Sequence, residues 1–294
     1  MLKKTIYIIL AVIVFIAILT LFYNAYVQSV MIKELVRMTE QNLVAKFAPV
    51  RNDNDSPAIL FIHGYGGSPY DFKPLIDTLD KLGYTYYAPL LPGHGQSAIE
   101  LENSTKEQWF DAAEKAYHEL KANYETIYVI GFSMGGAISV LLAARFEVDG
   151  LILINPYFRT TMKWWYLTNL ENTARLLSPF IPYVIKPKKG QINDPDGLKK
   201  YESLKIIPTK STRELNAIGE RAQIDAGNLN CRILWFHAVN DDVASYKLSR
   251  KVFKAAPSTN KKFINLERSN HVALYDYDSK IIIDSVLSFI SPLN

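Results

Sequence analysis

A serine stands at position 133 with a glycine two residues before it and two after it, in Gly131-Phe132-Ser133-Met134-Gly135. A seryl hydroxyl is a weak nucleophile until a neighbouring base takes its proton. The chain offers five histidines for that role. His118 lies inside the helical pattern "EKAYHELKA" and reads as a surface residue. His237 ends the apolar run "RILWFH" and reads as packed. His94, in "LPGHGQS", reads as a loop residue at the border of a site, and His63 opens "HGYGG". His271, in "ERSNHVAL", follows the last strand pattern and precedes the last helix pattern. That position lies at the carboxyl edge of a parallel sheet, the edge that Ser133 also occupies, so His271 is the expected base. A carboxylate that orients the imidazole should follow a strand too. Asp241 and Asp242, in "WFHAVNDDVAS", both fit the chain order serine, aspartate, histidine. The other reading of either aspartate is a cap for the helix near "SYKLSRK".

The serine can act only if a buried strand leads into it and a helix leads away. "TIYVI" precedes it and the apolar-periodic "MGGAISVLLAARF" follows. A turn this tight strains the serine backbone and demands small flanking residues. It also aims Oγ at a helix N-terminus, where free N–H groups favour negative charge. Around this element, strand and helix patterns alternate. "AILFIH", "TYYAPL", "GLILIN", "RILWFHAV" and "KKFINLE" read as strands. "SPYDFKPLIDTLDKLG", "STKEQWFDAAEKAYHELKANY", "SYKLSRKVFKAA" and "DSKIIIDSVLSFI" read as helices. Continuous apolar strands alternating with helices predict a mostly parallel sheet covered on both faces. Ser68, Pro69 and Asp71 read as the N-cap, first position and capping-box acid of the first of those helices.

Residues 156–228 break the alternation and show no buried strand. They read as a helical cap inserted after "GLILIN"; the plainer reading is an extra helical layer. "MKWWYL" within it, with Trp164, Trp165 and Tyr166, suits a membrane interface, an acyl pocket or the packed interior of a cap.

The N-terminus has another character. No charged residue occurs from Thr5 through Ile32, and a helix from Ile6 to Val27 is about 33 Å long, enough to cross the hydrocarbon of a bilayer. A cleaved signal peptide is the rival reading, with a shorter apolar region and a small-residue cleavage site. Lys3 and Lys4 precede the span, which predicts a cytoplasmic N-terminus and an exocytoplasmic remainder, although Lys33 and Arg37 pull the other way. The expected division is an anchor at 1–28, a connector at 29–56 and a catalytic domain at 57–294. In the connector, "MIKELVRM" reads as a helical turn or two and "LVAKFAPV" as an edge strand. A net charge of +4 without a dense basic block gives no support for nucleic-acid binding, and a single cysteine, Cys231, excludes an intramolecular disulfide or a thiolate-built metal site.

Taken in order, "FIHGYGGSPYDF", "PLLPGHGQS", "GFSMGG", "FHAVNDDVAS" and "SNHVAL" resemble the α/β-hydrolases, most of all bacterial carboxylesterases and monoacylglycerol lipases of the serine aminopeptidase S33-like group. The resemblance spans about residues 57–294. It implies that Asp241, rather than Asp242, is the acid. It also implies that the backbone N–H groups of Tyr65 and Met134 form an oxyanion hole, and that the inserted segment is a helical cap. His63, Gly64, Trp164 and Trp165 are the expected substrate contacts. Neither a cofactor nor a metal is required. The expected activity is cleavage of an amphiphilic carboxylic ester such as a monoacylglycerol or lysolipid. The same machinery serves an aminopeptidase, thioesterase or acyltransferase, and a free-amine peptidase would use acids of the cap, where Glu171, Asp194, Asp196 and Glu202 lie. A non-catalytic binding protein on the same fold would show a degenerate triad. Oligomeric state is not encoded in any of these motifs.

Overall fold

The computed structural model describes residues 2–54, 57–162, 176–187 and 191–291. The chain opens with one long helix, α1 (Leu2–Glu40), followed by the short α2 (Leu43–Lys46) and strand β1 (Val50–Asn52). The expected connector is therefore helical for its first twelve residues, 29–40, and "LVAKFAPV" supplies α2 in place of the expected edge strand. Asn42 ends α1 in the left-handed region, at φ 49°, a conformation asparagine tolerates. The chain turns there, and Phe47 N–H closes the next helical turn on Leu43 O at 2.9 Å with both side chains fully buried.

The two ends of α1 face different surroundings. Its most apolar 18-residue window has mean hydropathy 3.0, and none of it is buried. From Tyr23 onward the helix packs on the body of the protein. Val27, Ala98 and Ile206 form a small apolar cluster edged by Tyr23, Val30, Met31, Tyr183 and Ile185. Polar contacts fasten the same face. Asn24 Nδ2 donates to Phe180 O at 2.9 Å, Arg37 bridges Glu34 and Glu202, and Lys205 lies 3.4 Å from Glu34.

Behind α1 the strand–helix alternation is realised. In chain order come β2 (Ala58–Ile62), a 3-10 turn (Pro69–Phe72) running into α3 (Lys73–Lys81), β3 (Thr85–Ala88), α4 (Ala98–Asn103), α5 (Lys106–Lys121), β4 (Ile127–Phe132), α6 (Met134–Arg145) and β5 (Gly150–Ile154). The cap then holds β6 (Tyr183–Ile185), α7 (Pro195–Lys200), β7 (Ile206–Pro208) and α8 (Thr212–Asp225). The body resumes with β8 (Arg232–Ala238), α9 (Tyr246–Ala255), β9 (Lys261–Leu266) and α10 (Ser279–Ile290). The sheet order is β1-β3-β2-β4-β5-β8-β9, parallel throughout except for β1, which runs antiparallel to β3. Alternate residues of the central strands feed the two faces: Leu60, Ile62, Val129 and Trp235 join one core, and Ile59, Phe61, Ile130 and Phe236 the other. Burial on both sides is why these strands read as unbroken apolar runs.

The cap differs from the all-helical insertion expected from the sequence. β6 and β7 pair as an antiparallel ribbon, with Val184 opposite Ile207. Each strand is three residues long, too short for alternation to show in the sequence, and β6 is only partly buried. Trp164, Trp165, Tyr166 and Glu171 lie outside the described residues.

Candidate active site

Ser133 occupies the step between β4 and α6, with φ 53° and ψ −119°. This is a strained backbone for a residue with a Cβ, and such strain gathers at functional turns. The two glycines of the motif are sterically required. A Cβ on Gly135 would sit 1.8 Å from Ile62 O, and one on Gly131 would sit 2.3 Å from Ser139 Oγ. The turn is fastened from both sides, because Ser133 N–H donates to Ile154 O at 3.1 Å and Ser133 O accepts Tyr157 N–H at 2.8 Å.

Strand register brings the partners together. Phe132 pairs with Ile154, Ile154 with Phe236, and Ala238 with Leu266, so β4, β5, β8 and β9 end side by side. Asp241 follows β8 by three residues and His271 follows β9 by five. Ser133 Oγ lies 2.9 Å from His271 Nε2, and His271 Nδ1 lies 2.8 Å from Asp241 Oδ2. A carboxylate can only accept, so Nδ1 carries the proton and Nε2 keeps the lone pair that receives the seryl hydrogen. Asp241 Oδ1 accepts the N–H groups of Val243 and Ala244 at 2.7 and 2.8 Å. Burial works against its charge. The charge of His271 and hydrogen bonds from His237 and His271 outweigh that and hold the carboxyl well below the usual carboxylate range.

Asp242, one residue on, points elsewhere. Its N–H donates to Asn270 Oδ1 at 3.0 Å and its Oδ2 accepts Asn270 Nδ2 at 3.2 Å. Asn270 Oδ1 in turn accepts the His271 N–H at 2.8 Å. Asp242 thus braces the histidine loop without touching the imidazole.

Tyr65 and Met134 stand beside Ser133, on the β2 loop and at the first position of α6. Among the described residues neither backbone N–H has a hydrogen-bond partner in the protein, as a helix N-terminus allows for Met134. Gly64 packs so closely that a Cβ there would lie 3.3 Å from Ser133 Cβ. His63, grouped with the substrate contacts on sequence grounds, does not line the cavity. Leu91 N–H donates to its Nε2 at 3.0 Å and its Nδ1 lies 2.9 Å from Gly64 O, so both nitrogens brace the loop. Burial, and then the neighbouring His94, push its pKa well down and keep it neutral. His94 packs edge-on to His63, at 4.9 Å between ring centroids. His237 is fully buried with Nε2 3.4 Å from Asp241 Oδ2, and His118 is exposed beside Glu114.

A cavity of about 170 Å³ opens over Ser133 and His271. Phe132, Tyr157, Ile207, Leu215, Val243 and Val272 make it largely apolar, and Asp71, Lys186 and Gln191 add polar groups to its lining. A second space of about 410 Å³ adjoins it, sharing Lys186, Gln191 and Tyr201 and reaching Arg37 on α1 and Gln41 just after it. Among the described residues, the cap acids singled out from the sequence do not line this cavity: Glu202 binds Arg37, Asp194 caps α7, and Asp196 pairs with Lys199 on the surface. Asp71 also has a role other than the capping-box acid that its sequence position suggests. It does not close a capping box; its Oδ2 accepts Gly64 N–H at 3.0 Å and its Oδ1 accepts the Tyr201 hydroxyl at 2.9 Å. The bare signal available was an acid four residues past a glycine-rich turn, which does not distinguish the two roles. Among the described residues no group of three or more His, Cys, Asp or Glu side chains is arranged to hold a metal ion.

The profile of a family described as serine aminopeptidase, S33, matches residues 53–278. A thermostable monoacylglycerol lipase from Bacillus sp. (strain H-257) is 29% identical over 254 residues, covering 86% of this chain and 98% of the relative. A carboxylesterase from Bacillus subtilis (strain 168) is 23% identical over 243 residues, covering 81% and 93%. Among solved structures, a Paleococcus ferrophilus monoacylglycerol lipase superposes with TM-score 0.70 at 19% identity, covering 82% of this chain and 97% of that one. A soluble variant of Saccharomyces cerevisiae monoglyceride lipase with a substrate analogue superposes with TM-score 0.69 at 20% identity, covering 83% and 89%. At these identities the superpositions establish the α/β-hydrolase fold.

Proposed function

Since this chain belongs to the serine aminopeptidase, S33, family of α/β-hydrolases, we propose that it is a membrane-anchored carboxylic ester hydrolase acting on single-chain lipid esters, of the monoacylglycerol or lysolipid type. The observation that carries the chemistry is the unbroken hydrogen-bond chain from Ser133 Oγ through His271 to Asp241. Ser133 Oγ attacks the ester carbonyl while His271 Nε2 takes its proton. The N–H groups of Tyr65 and Met134 receive the oxyanion, a contribution of about 3 kcal/mol per donor. The imidazolium, stabilised by Asp241, returns the proton to the departing alkoxide. Water then repeats the sequence on the acyl-enzyme, releasing a fatty acid and restoring Ser133. The relatives named for monoacylglycerol lipase and carboxylesterase activity support an ester as the substrate. A free-amine peptide is disfavoured by the charges present: among the described residues the carboxylate lining the cavity is Asp71, and it faces the Lys186 ammonium.

The lipid character of the substrate is supported by the apolar catalytic cavity and by the adjoining space that leads from it to α1. The expected result with the full-length protein in detergent is a kcat/KM on C8–C12 acyl esters and monoacylglycerols at least about tenfold above that on acetyl esters, since each buried methylene is worth up to about 0.8 kcal/mol. A preference for acetyl esters, or for aminoacyl amides over any ester, overturns the lipid reading.

The exposed apolar half of α1 serves as the anchor in this reading, and Lys3 and Lys4 ahead of it support a cytoplasmic N-terminus. Protease added to cells with a permeabilised outer layer should then digest the catalytic domain, whereas protection of that domain reverses the orientation.

A further inference from the structure

The catalytic cavity carries a carboxylate that the reaction does not use. Asp71 is 2% exposed and ties together two parts of the chain that are distant in sequence. Its Oδ2 holds the N–H of Gly64, one residue before the oxyanion donor Tyr65. Its Oδ1 holds the hydroxyl of Tyr201, at the cap residue that follows α7. The fit allows no slack, because a Cβ on Gly67 would lie 2.2 Å from Asp71 Oδ2. The same stretch of cap is bonded to the histidine loop. Val272 N–H donates to Gln191 O at 2.9 Å, and the Asp276 carboxylate accepts the N–H groups of Asn193 and Asp194 at 2.7 and 2.9 Å.

We propose that Asp71 is a positioning residue that couples the cap to the oxyanion hole, holding the Gly64 peptide so that Tyr65 N–H faces the carbonyl oxygen while Tyr201 holds Asp71 in place. The inference rests on Tyr65 N–H being an oxyanion donor. The loop needs such a brace: Gly64, Gly66 and Gly67 leave its backbone free to rotate, and Gly66 already sits at φ 67°. A charged acceptor makes the stronger bond to an amide, and burial keeps water from competing. The charged and titratable groups that face Asp71 are Tyr201 and Lys186 of the cap, His271, and Tyr275 beyond it. Burial pushes the carboxyl up to about 6, against the Gly64 N–H, the Tyr201 hydroxyl and the charges of Lys186 and His271. The stronger, ionised brace is therefore gained as pH rises through that value and lost as pH falls.

The test is a set of pH profiles for kcat and KM on a soluble p-nitrophenyl ester, with the full-length protein in detergent. Asp71→Asn keeps the shape and removes the charge. It should lower kcat about tenfold, a fraction of what a whole oxyanion donor provides, with KM changed less than about threefold. Its acid limb should lose the inflection near pH 6. Tyr201→Phe removes a bond that favours the ionised form, so that inflection should move to higher pH with a smaller drop in kcat. Asp71→Asn with the wild-type kcat and acid limb overturns the proposal, and so does Tyr201→Phe with an unmoved inflection. If Asp71→Asn fails to fold, the Tyr201→Phe profile decides alone. Active-site titration of the wild-type protein with a fluorophosphonate separates the two levels. Absent labelling at Ser133 overturns the hydrolase reading itself, whereas normal labelling with unchanged variants overturns the coupling alone.

Discussion

Alanine at position 133 should lower ester turnover by about 10⁶-fold, the loss seen when the nucleophile of a serine hydrolase is removed. The variant loses one oxygen and no packing contact of consequence. Ser133 is 7% exposed, and its strained backbone is held by main-chain bonds to Ile154 and Tyr157 and by the two close-packed glycines. Alanine accepts that backbone about as well as serine, so the fold should persist. What disappears is the atom 2.9 Å from His271 Nε2. Turnover of a p-nitrophenyl ester and labelling by a fluorophosphonate probe measure it together. Full labelling of Ser133→Ala would show that another nucleophile acts.

Asp241→Asn should cost about 10⁴-fold in kcat, because an amide can no longer hold His271 in the tautomer with its proton on Nδ1 or balance the imidazolium. Asp242→Asn should stay within about threefold of wild type, since its side chain meets Asn270 and not the imidazole. The reverse pattern of kcat values transfers the role to Asp242. Acid titration gives a second signature. The folded-state pKa of Asp241 is depressed, so the stability its carboxylate contributes is present above the ordinary value of about 3.9 and is lost as pH falls below it. The Asn variant lacks that contribution, and its unfolding free energy should vary less with pH in that acid range.

The residues that carry this site differ in how far local sequence reaches. Ser133 is legible from its neighbours alone, because a strand-to-helix turn of this sharpness excludes side chains at Gly131 and Gly135, and both exclusions act within a few residues. The parallel sheet is equally legible, since β2, β4, β5 and β8 bury both faces and must be apolar throughout. His271 follows from chain order once the strands are placed. Asp241 and Asp242 are inseparable at that level. They differ in direction, and direction is decided by tertiary contacts, where Val243 and Ala244 turn their N–H groups onto one carboxylate and Asn270 Nδ2 donates to the other.

Tertiary contacts alone decide the rest. The apolar half of α1 is written in its composition. Its extension to Glu40 and its docking depend on Ile206, Tyr183, Phe180 and Glu202, all more than 140 residues away in the chain. β6 and β7 exist because each supplies the other's ladder over three residues, too few to leave a period. Asp71 has the position of a helix-capping acid, and a single side chain cannot announce which of several N–H groups it will meet. Burial settles the choice. A carboxylate taken out of water must be fully bonded, and the partners that satisfy it, Gly64 and Tyr201, come together only when the cap closes on the sheet.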